Sequence, residues 1–178
     1  MADRMAAEIW IGGRLPRSLV DEFPISDLRL DWENTPLASS SEADILAARD
    51  DDGLLHFADN EASWGEFQEL EGWLREHKLP FRRRSEGKYE YSACEIEFRP
   101  DLKGKRNRDV YVTTSPEGAP TVFVSEVEVI TTRMAKLVGD RKRSATQRLE
   151  SWERLLKRLT LVLPPKLPPL PAFEIVDG

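Results

Sequence analysis

Between two prolines, Pro80 and Pro100, the chain reads FRRRSEGKYEYSACEIEFR, and few local structures fit that pattern. Successive side chains on a strand point to opposite faces, and Glu86-Gly87 suits a tight turn between two strands. The stretch therefore reads as a hairpin. With Glu86-Gly87 central, Ser85 opposes Lys88, Arg84 opposes Tyr89, Arg83 opposes Glu90 and Arg82 opposes Tyr91. One face then carries Arg82, Arg84, Tyr89 and Tyr91. The other carries Arg83 and Glu90 and continues into Cys94, Ile96 and Phe98, which must turn inward toward a covering helix.

That helix is expected just upstream. Residues 54–58, LLHFA, read as a strand with His56 facing away from Leu55 and Phe57, ended by Asp59-Asn60-Glu61. Ser63 and Glu66 have capping-box spacing. Phe67, Leu70, Trp73, Leu74 and His77 then repeat at helical intervals. Gly72 weakens this helix by up to about 1 kcal/mol relative to Ala and is expected to let it pack closely on the sheet. Pro80 stops it.

Toward the N-terminus, AEIWIGG (7–13) reads as a strand with Ile9 and Ile11 on one face, Trp10 on the other and Gly12-Gly13 at its end. The glycine pair lacks the spacing of a phosphate loop. Pro16 opens a short helix ending at Phe23. Ser41 suits the N-cap of EADILAARD, and Asp50-Asp51-Asp52-Gly53 reads as a solvated turn, since EF-hand spacing is absent.

Toward the C-terminus, DVYVTT, the turn SPEGA and PTVFV read as a second hairpin. Ser125 and Glu128 repeat the capping-box spacing. Val127, Ile130, Thr131, Met134, Leu137 and Val138 form a helical stripe that Gly139 ends. A last helix carries Leu149, Trp152, Leu155, Leu156 and Leu159. The order β-α-(irregular)-β-α-β-β-β-β-α-α implies an α+β domain over 1–163. Its mixed, mostly antiparallel sheet has helices on one face and two C-terminal helices, and a proline-rich tail follows over 164–178. Within that tail PPKLPPLP either presents a polyproline II ligand or forms a strap tied down by Phe173 and Ile175, the reading preferred here.

The 178 residues carry a net charge of −6 with one cysteine, so no internal disulfide forms and no Cys/His cluster suggests zinc. No basic leader precedes a long apolar run, and no run approaches the roughly 20 residues that span a bilayer. A soluble, cytoplasmic protein is expected, with no membrane partner. The charge is uneven: net −9 over residues 1–61 and net +5 over 133–178.

Catalytic and metal motifs are absent. A nucleophile needs a nearby base, and only His56 and His77 are of that type; His56 with Asp59 or Glu61 is the one acid–base pair the sequence offers. No cofactor and no metal are expected. The best binding candidate is the Arg82, Arg84, Tyr89, Tyr91 face, extended by Lys88 and by Lys103, Lys105, Arg106 and Arg108. Guanidinium groups pair with phosphate or carboxylate, and aromatic rings stack. The competing reading is a hairpin face stabilised by its own cross-strand pairs.

The stretch FADNEASWGEFQELEGWLREHKLPFRRRSEGKYEYSACEIEFRP, about a quarter of the chain, resembles a pattern in small uncharacterised bacterial, plasmid and phage-type accessory proteins. The resemblance implies no activity and no functional residue. The sequence thus leads us to expect a cytoplasmic interaction protein that binds a protein partner without catalysis. A nucleic-acid or nucleotide-binding protein using the Arg/Tyr face is the alternative.

Overall fold

The structure is a computed structural model; it describes residues 3–25, 28–33, 35–88, 92–100, 109–115, 119–122, 124–164 and 167–177. Among them the elements run β1 (Arg4–Ile11), β2 (Gly13–Pro16), a 3-10 helix (Arg17–Glu22), α1 (Glu42–Ala47), β3 (Leu55–Ser63), α2 (Gln68–Glu76), β4 (Phe81–Ser85), β5 (Cys94–Phe98), β6 (Asp109–Thr113), α3 (Val124–Val138), α4 (Ala145–Val162) and β7 (Phe173–Val176). This is an α+β fold. It groups into two compact units, Met1–Ala119 with Pro169–Gly178, and Pro120–Pro168.

The first unit is built on a five-stranded antiparallel sheet in the order β3-β1-β4-β5-β6. Alternation divides its side chains cleanly. Ile9, Ile11, Leu55, Phe57, Phe81 and Phe98 are buried in one core with Leu70 and Leu74 of α2, Val20 and Phe23 near the 3-10 helix, and Ile45 of α1. Ser41 caps α1 as expected, accepting the amide of Asp44. The Asp50–Gly53 turn is held by the Asp50 carboxylate, which accepts the amides of Asp52 (3.0 Å) and Leu54 (2.9 Å).

The hairpin pairs differently from the sequence reading. Ser85 lies opposite Cys94, Arg84 opposite Glu95, Arg83 opposite Ile96, Arg82 opposite Glu97 and Phe81 opposite Phe98. Residues 86–93, not a two-residue Glu86-Gly87 turn, connect the strands. The expected Ser85–Lys88 opposition is thereby replaced, and so are those of Arg84, Arg83 and Arg82 with Tyr89, Glu90 and Tyr91. The physical reason is burial: this register seats the Phe81 and Phe98 rings together, centroids 5.7 Å apart. The slide is an even number of residues, so the paired residues Phe81–Ser85 and Cys94–Phe98 keep the faces that alternation assigned them.

β3 also runs past its expected end at Asp59. Ala7 pairs with Asp59 but Met5 pairs with Ala62, so β3 holds one extra residue in a bulge, which absorbs the polar residues within the strand. The strand then turns through Trp64 and Gly65, both at positive φ (57° and 66°). Gly65 is required twice over: a Cβ there would stand 2.7 Å from that of Ser85.

This turn consumes the expected capping box. Ser63 ends β3, Glu66 donates its amide to the Ser63 carbonyl (3.0 Å), and α2 begins only at Gln68 without a side-chain cap at Phe67. Glu71 supplies the missing acceptor from inside the helix, 3.2 Å from the Phe67 amide. Gly72 has no neighbour within 4 Å of where a Cβ would stand, so it makes no close approach to the sheet.

Arg83 explains much of this geometry. It shares the apolar face and is 2% exposed. Its Nε lies 2.7 Å from Glu71 Oε1, its Nη2 3.6 Å from Glu66, and its Nη1 donates to the Gly65 carbonyl. Glu71 is shared with Arg75 at 3.2 Å. A charge this deep persists only when paired and hydrogen-bonded, so Arg83 ties β4 to α2 and to the turn before it.

The second expected hairpin is half present. β6 pairs with β5, but no strand forms over residues 119–122, and Val124 already begins α3. Ser125 and Glu128 consequently lie within the helix rather than capping it. The tail end is a strap: Phe173–Val176 adds a parallel strand to β2. The Phe173 side chain is fully buried, its amide donates to Gly53 O (2.9 Å), and Arg99 Nη1 donates to Pro169 O (3.3 Å). Gly12 admits this strap, since a Cβ there would run into the Pro171 carbonyl, while Gly13, at φ 93°, leaves room for Pro80, which a Cβ would meet at 2.8 Å.

In the second unit α3 buries Ile130, Met134 and Leu137, while Val138, expected on the same stripe, is exposed. Ser144 and Gln147 form a complete capping box at the start of α4, yet none of the 18 residues of α4 is buried.

Candidate functional site

The outer face of the first unit's sheet collects even-numbered positions of β3, β1 and β4 and odd-numbered positions of β5. Strand pairing sets His56, Trp10, Arg82 and Glu97 in one row across β3, β1, β4 and β5, and Ala58, Glu8, Arg84 and Glu95 in the next. Within the first row the His56 ring stacks on Trp10 (4.9 Å, 16°), and the Arg82 guanidinium lies over the Trp10 ring, 4.5 Å from its centroid. Glu8 links the rows, with one carboxylate oxygen 3.3 Å from His56 Nε2 and the other 3.7 Å from Arg84. Glu97 accepts from Arg99 Nε at 2.7 Å.

Glu95 is half-buried on this face. Burial pushes its carboxyl above the ordinary glutamate range, and the charge of Glu97 pushes the same way, against the pull of Arg82 and Arg84. On the opposite face Tyr111 is also raised, first by desolvation and then by Cys94. His56 finds Glu8, not Asp59 or Glu61: the Asp59 carboxylate accepts the Glu61 amide at 2.8 Å. Among the described residues no group of three potential metal ligands occurs, and no helix is long and apolar enough to cross a membrane.

Of the sequence-predicted binding residues, Arg82 and Arg84 share this face as alternation required. Lys88 donates to the Arg4 carbonyl at 2.8 Å. Tyr89, Tyr91, Lys103, Lys105, Arg106 and Arg108 lie outside the described residues. Sequence reasoning did not see that Glu8, Trp10 and His56 would join the arginines. The signal was present in the period-2 pattern of AEIWIGG and LLHFA; the strand order that makes β1 the neighbour of both β3 and β4 was not.

The second unit presents a different kind of surface. Pro120–Pro168 holds ten Lys/Arg against five Asp/Glu, a net of +5, and the remainder of the chain carries −11. At about 100° per residue, Leu149, Trp152 and Leu156 form one stripe along α4, and they are 61%, 37% and 51% exposed. On another side of α4, Ser151, Arg154 and Leu155 join Arg133, Lys136, Leu137, Asp140 and Arg143 around a groove of ≈ 570 Å³. The stripe and the groove therefore occupy separate sides of the helical pair.

Fold and surfaces together define a two-unit α+β protein with an internally paired sheet face and an unsatisfied helical pair. No protein-family model matches the chain, and no curated protein or solved structure matches it either.

Proposed function

We propose that the chain is a small interaction protein that binds a protein partner through its helical pair and catalyses no reaction. One observation carries the reading: α4 buries none of its 18 residues while it bears Leu149, Trp152 and Leu156 in a stripe. An amphipathic helix gains most of its stability from packing its apolar face, and this one has that face to offer. A contiguous exposed apolar patch marks an interaction surface, and tryptophan is among the side chains that most often anchor one. The partner that fits is a protein with an apolar helix or groove. The resemblance of residues 57–100 to bacterial, plasmid and phage-type accessory proteins supports a setting in a mobile element.

The Arg/Tyr face has less support as a nucleic-acid or nucleotide site, because Arg82 is stacked over Trp10 and Arg84 lies beside Glu8. The test pairs Trp152→Glu/Leu156→Glu with Arg82→Glu, each checked for native helicity. Partners captured by the wild-type chain are purified and titrated against each variant. The α4 variant is expected to lose about tenfold or more in affinity and the Arg82 variant little. Full affinity in the α4 variant overturns the reading.

A further inference from the structure

The groove between α3 and α4 is a second surface, independent of the apolar stripe. Arg133, Lys136 and Asp140 come from the C-terminal part of α3 and the turn after it, Arg143 from that turn, and Ser151 and Arg154 from α4, with Leu137 and Leu155 completing the lining. Positions 133, 136, 137 and 140 are three, four and seven apart, and 151, 154 and 155 three and four apart. Helical geometry therefore sets Arg133, Lys136 and Leu137 on one side of α3 and Ser151, Arg154 and Leu155 on one side of α4, and the turn after α3 adds Asp140.

The cations differ in how far they are already engaged. Arg143 is fixed: its Nε lies 3.1 Å from Asp140 Oδ2 and its Nη1 donates to Ser151 Oγ at 3.1 Å. Arg154 uses Nε on the Glu150 carbonyl at 3.3 Å, which leaves its two terminal amino groups. Arg133 and Lys136 make no hydrogen bond or ion pair among the described residues. Four cationic side chains thus line one concavity with only one carboxylate among them, in a protein whose net charge is −6.

We propose that this groove binds a short oligophosphate group, as carried by a small phosphorylated ligand. Three reasons select that ligand class. Arginine forks match phosphate oxygens in paired hydrogen bonds, and a lysine adds a point charge. A volume of ≈ 570 Å³ is in the range of small-molecule sites, roughly 300–1,000 Å³. Extended polyanions fit less well, since their binding depends on broad neutralisation of phosphates and the groove gathers only four cations around one concavity. Arg143, held by Asp140 and Ser151, is the preorganised member; Arg133, Lys136 and Arg154 close on the ligand.

The experiment is calorimetric titration of the full chain with inorganic phosphate, pyrophosphate and tripolyphosphate at low salt. A 12-mer of single-stranded DNA and a short polyglutamate serve as comparison arms. One-to-one binding that strengthens from phosphate to tripolyphosphate is expected. Arg133→Gln and Arg154→Gln should each weaken it about ten- to a hundredfold, while Lys157→Gln, the same charge change on α4 outside the groove, should change it little. Circular dichroism establishes that each variant keeps its helices. The proposal is overturned by no binding to tripolyphosphate or by equal weakening in Lys157→Gln. It is also overturned by polyglutamate or DNA binding more tightly than tripolyphosphate, which would mark the groove as an acidic-peptide or nucleic-acid surface. None of these results depends on whether the Trp152/Leu156 stripe binds a protein.

Discussion

The sheet unit and the helical pair treat similar side chains in opposite ways. In the sheet unit an arginine, Arg83, lies inside among phenylalanines and is answered by Glu71, Glu66 and the Gly65 carbonyl. In the helical pair Leu149 and Trp152 lie outside, and Arg133 and Lys136 have no partner among the described residues. A buried charge must be satisfied locally or it costs several kcal/mol, and the first unit meets most of that demand itself, although Arg82 Nε, Arg83 Nε and Thr114 Oγ1 are buried without a hydrogen-bond partner among the described residues. Exposed leucine costs the fold little. Surfaces free to engage something else therefore concentrate in the second unit.

The strongest way to break that comparison is Arg83→Ala. It leaves Glu71 buried with Arg75 as its remaining cation, and a loss of about 3–5 kcal/mol is expected, read as a shift in denaturant midpoint. A loss under about 1 kcal/mol would show that the apolar packing of Leu70 and Leu74, not the ion pair, holds α2 to the sheet.

Glu95 tests how completely the sheet unit satisfies its charges. Its folded carboxyl keeps a proton to higher pH than the unfolded one, because burial outweighs Arg82 and Arg84. Between the ordinary glutamate pKa and the raised folded value the folded state binds the extra proton, so this group's contribution falls as pH rises. Glu95→Gln removes that fall. The variant should gain on the wild type as pH climbs through the window and hold a constant lead above it in thermal unfolding. A variant less stable than the wild type at neutral pH would mean that the arginines dominate instead.

The smallest expected effect belongs to the helical pair. Leu149→Ser, at a position 61% exposed, should change unfolding stability by no more than about 0.5 kcal/mol, as for surface positions generally. A loss above about 2 kcal/mol would show the stripe to be part of the fold, and the contrast between the units would disappear.

Local patterns in the sequence determined a good deal. Alternation placed Ile9 and Ile11 opposite Trp10, Arg82 and Arg84 on one face, and Cys94, Ile96 and Phe98 on the other. It did so even though the hairpin register was six residues off, because a strand's faces depend only on parity. Helical spacing found Leu70, Leu74, Ile130 and Leu137, and capping chemistry found Ser41. These are short-range properties, fixed by one residue's relation to neighbours a few positions away. What only the tertiary structure decided was long-range: that β1 sits between β3 and β4, which brings Glu8, Trp10 and His56 to the arginines. It also decided that Glu66 and Glu71 answer Arg83, where the sequence had offered Glu66 as a cap. The same holds for α4, whose apolar stripe looks like core in the sequence. A stripe states what a helix is able to bury; whether anything covers it depends on the elements that arrive beside it.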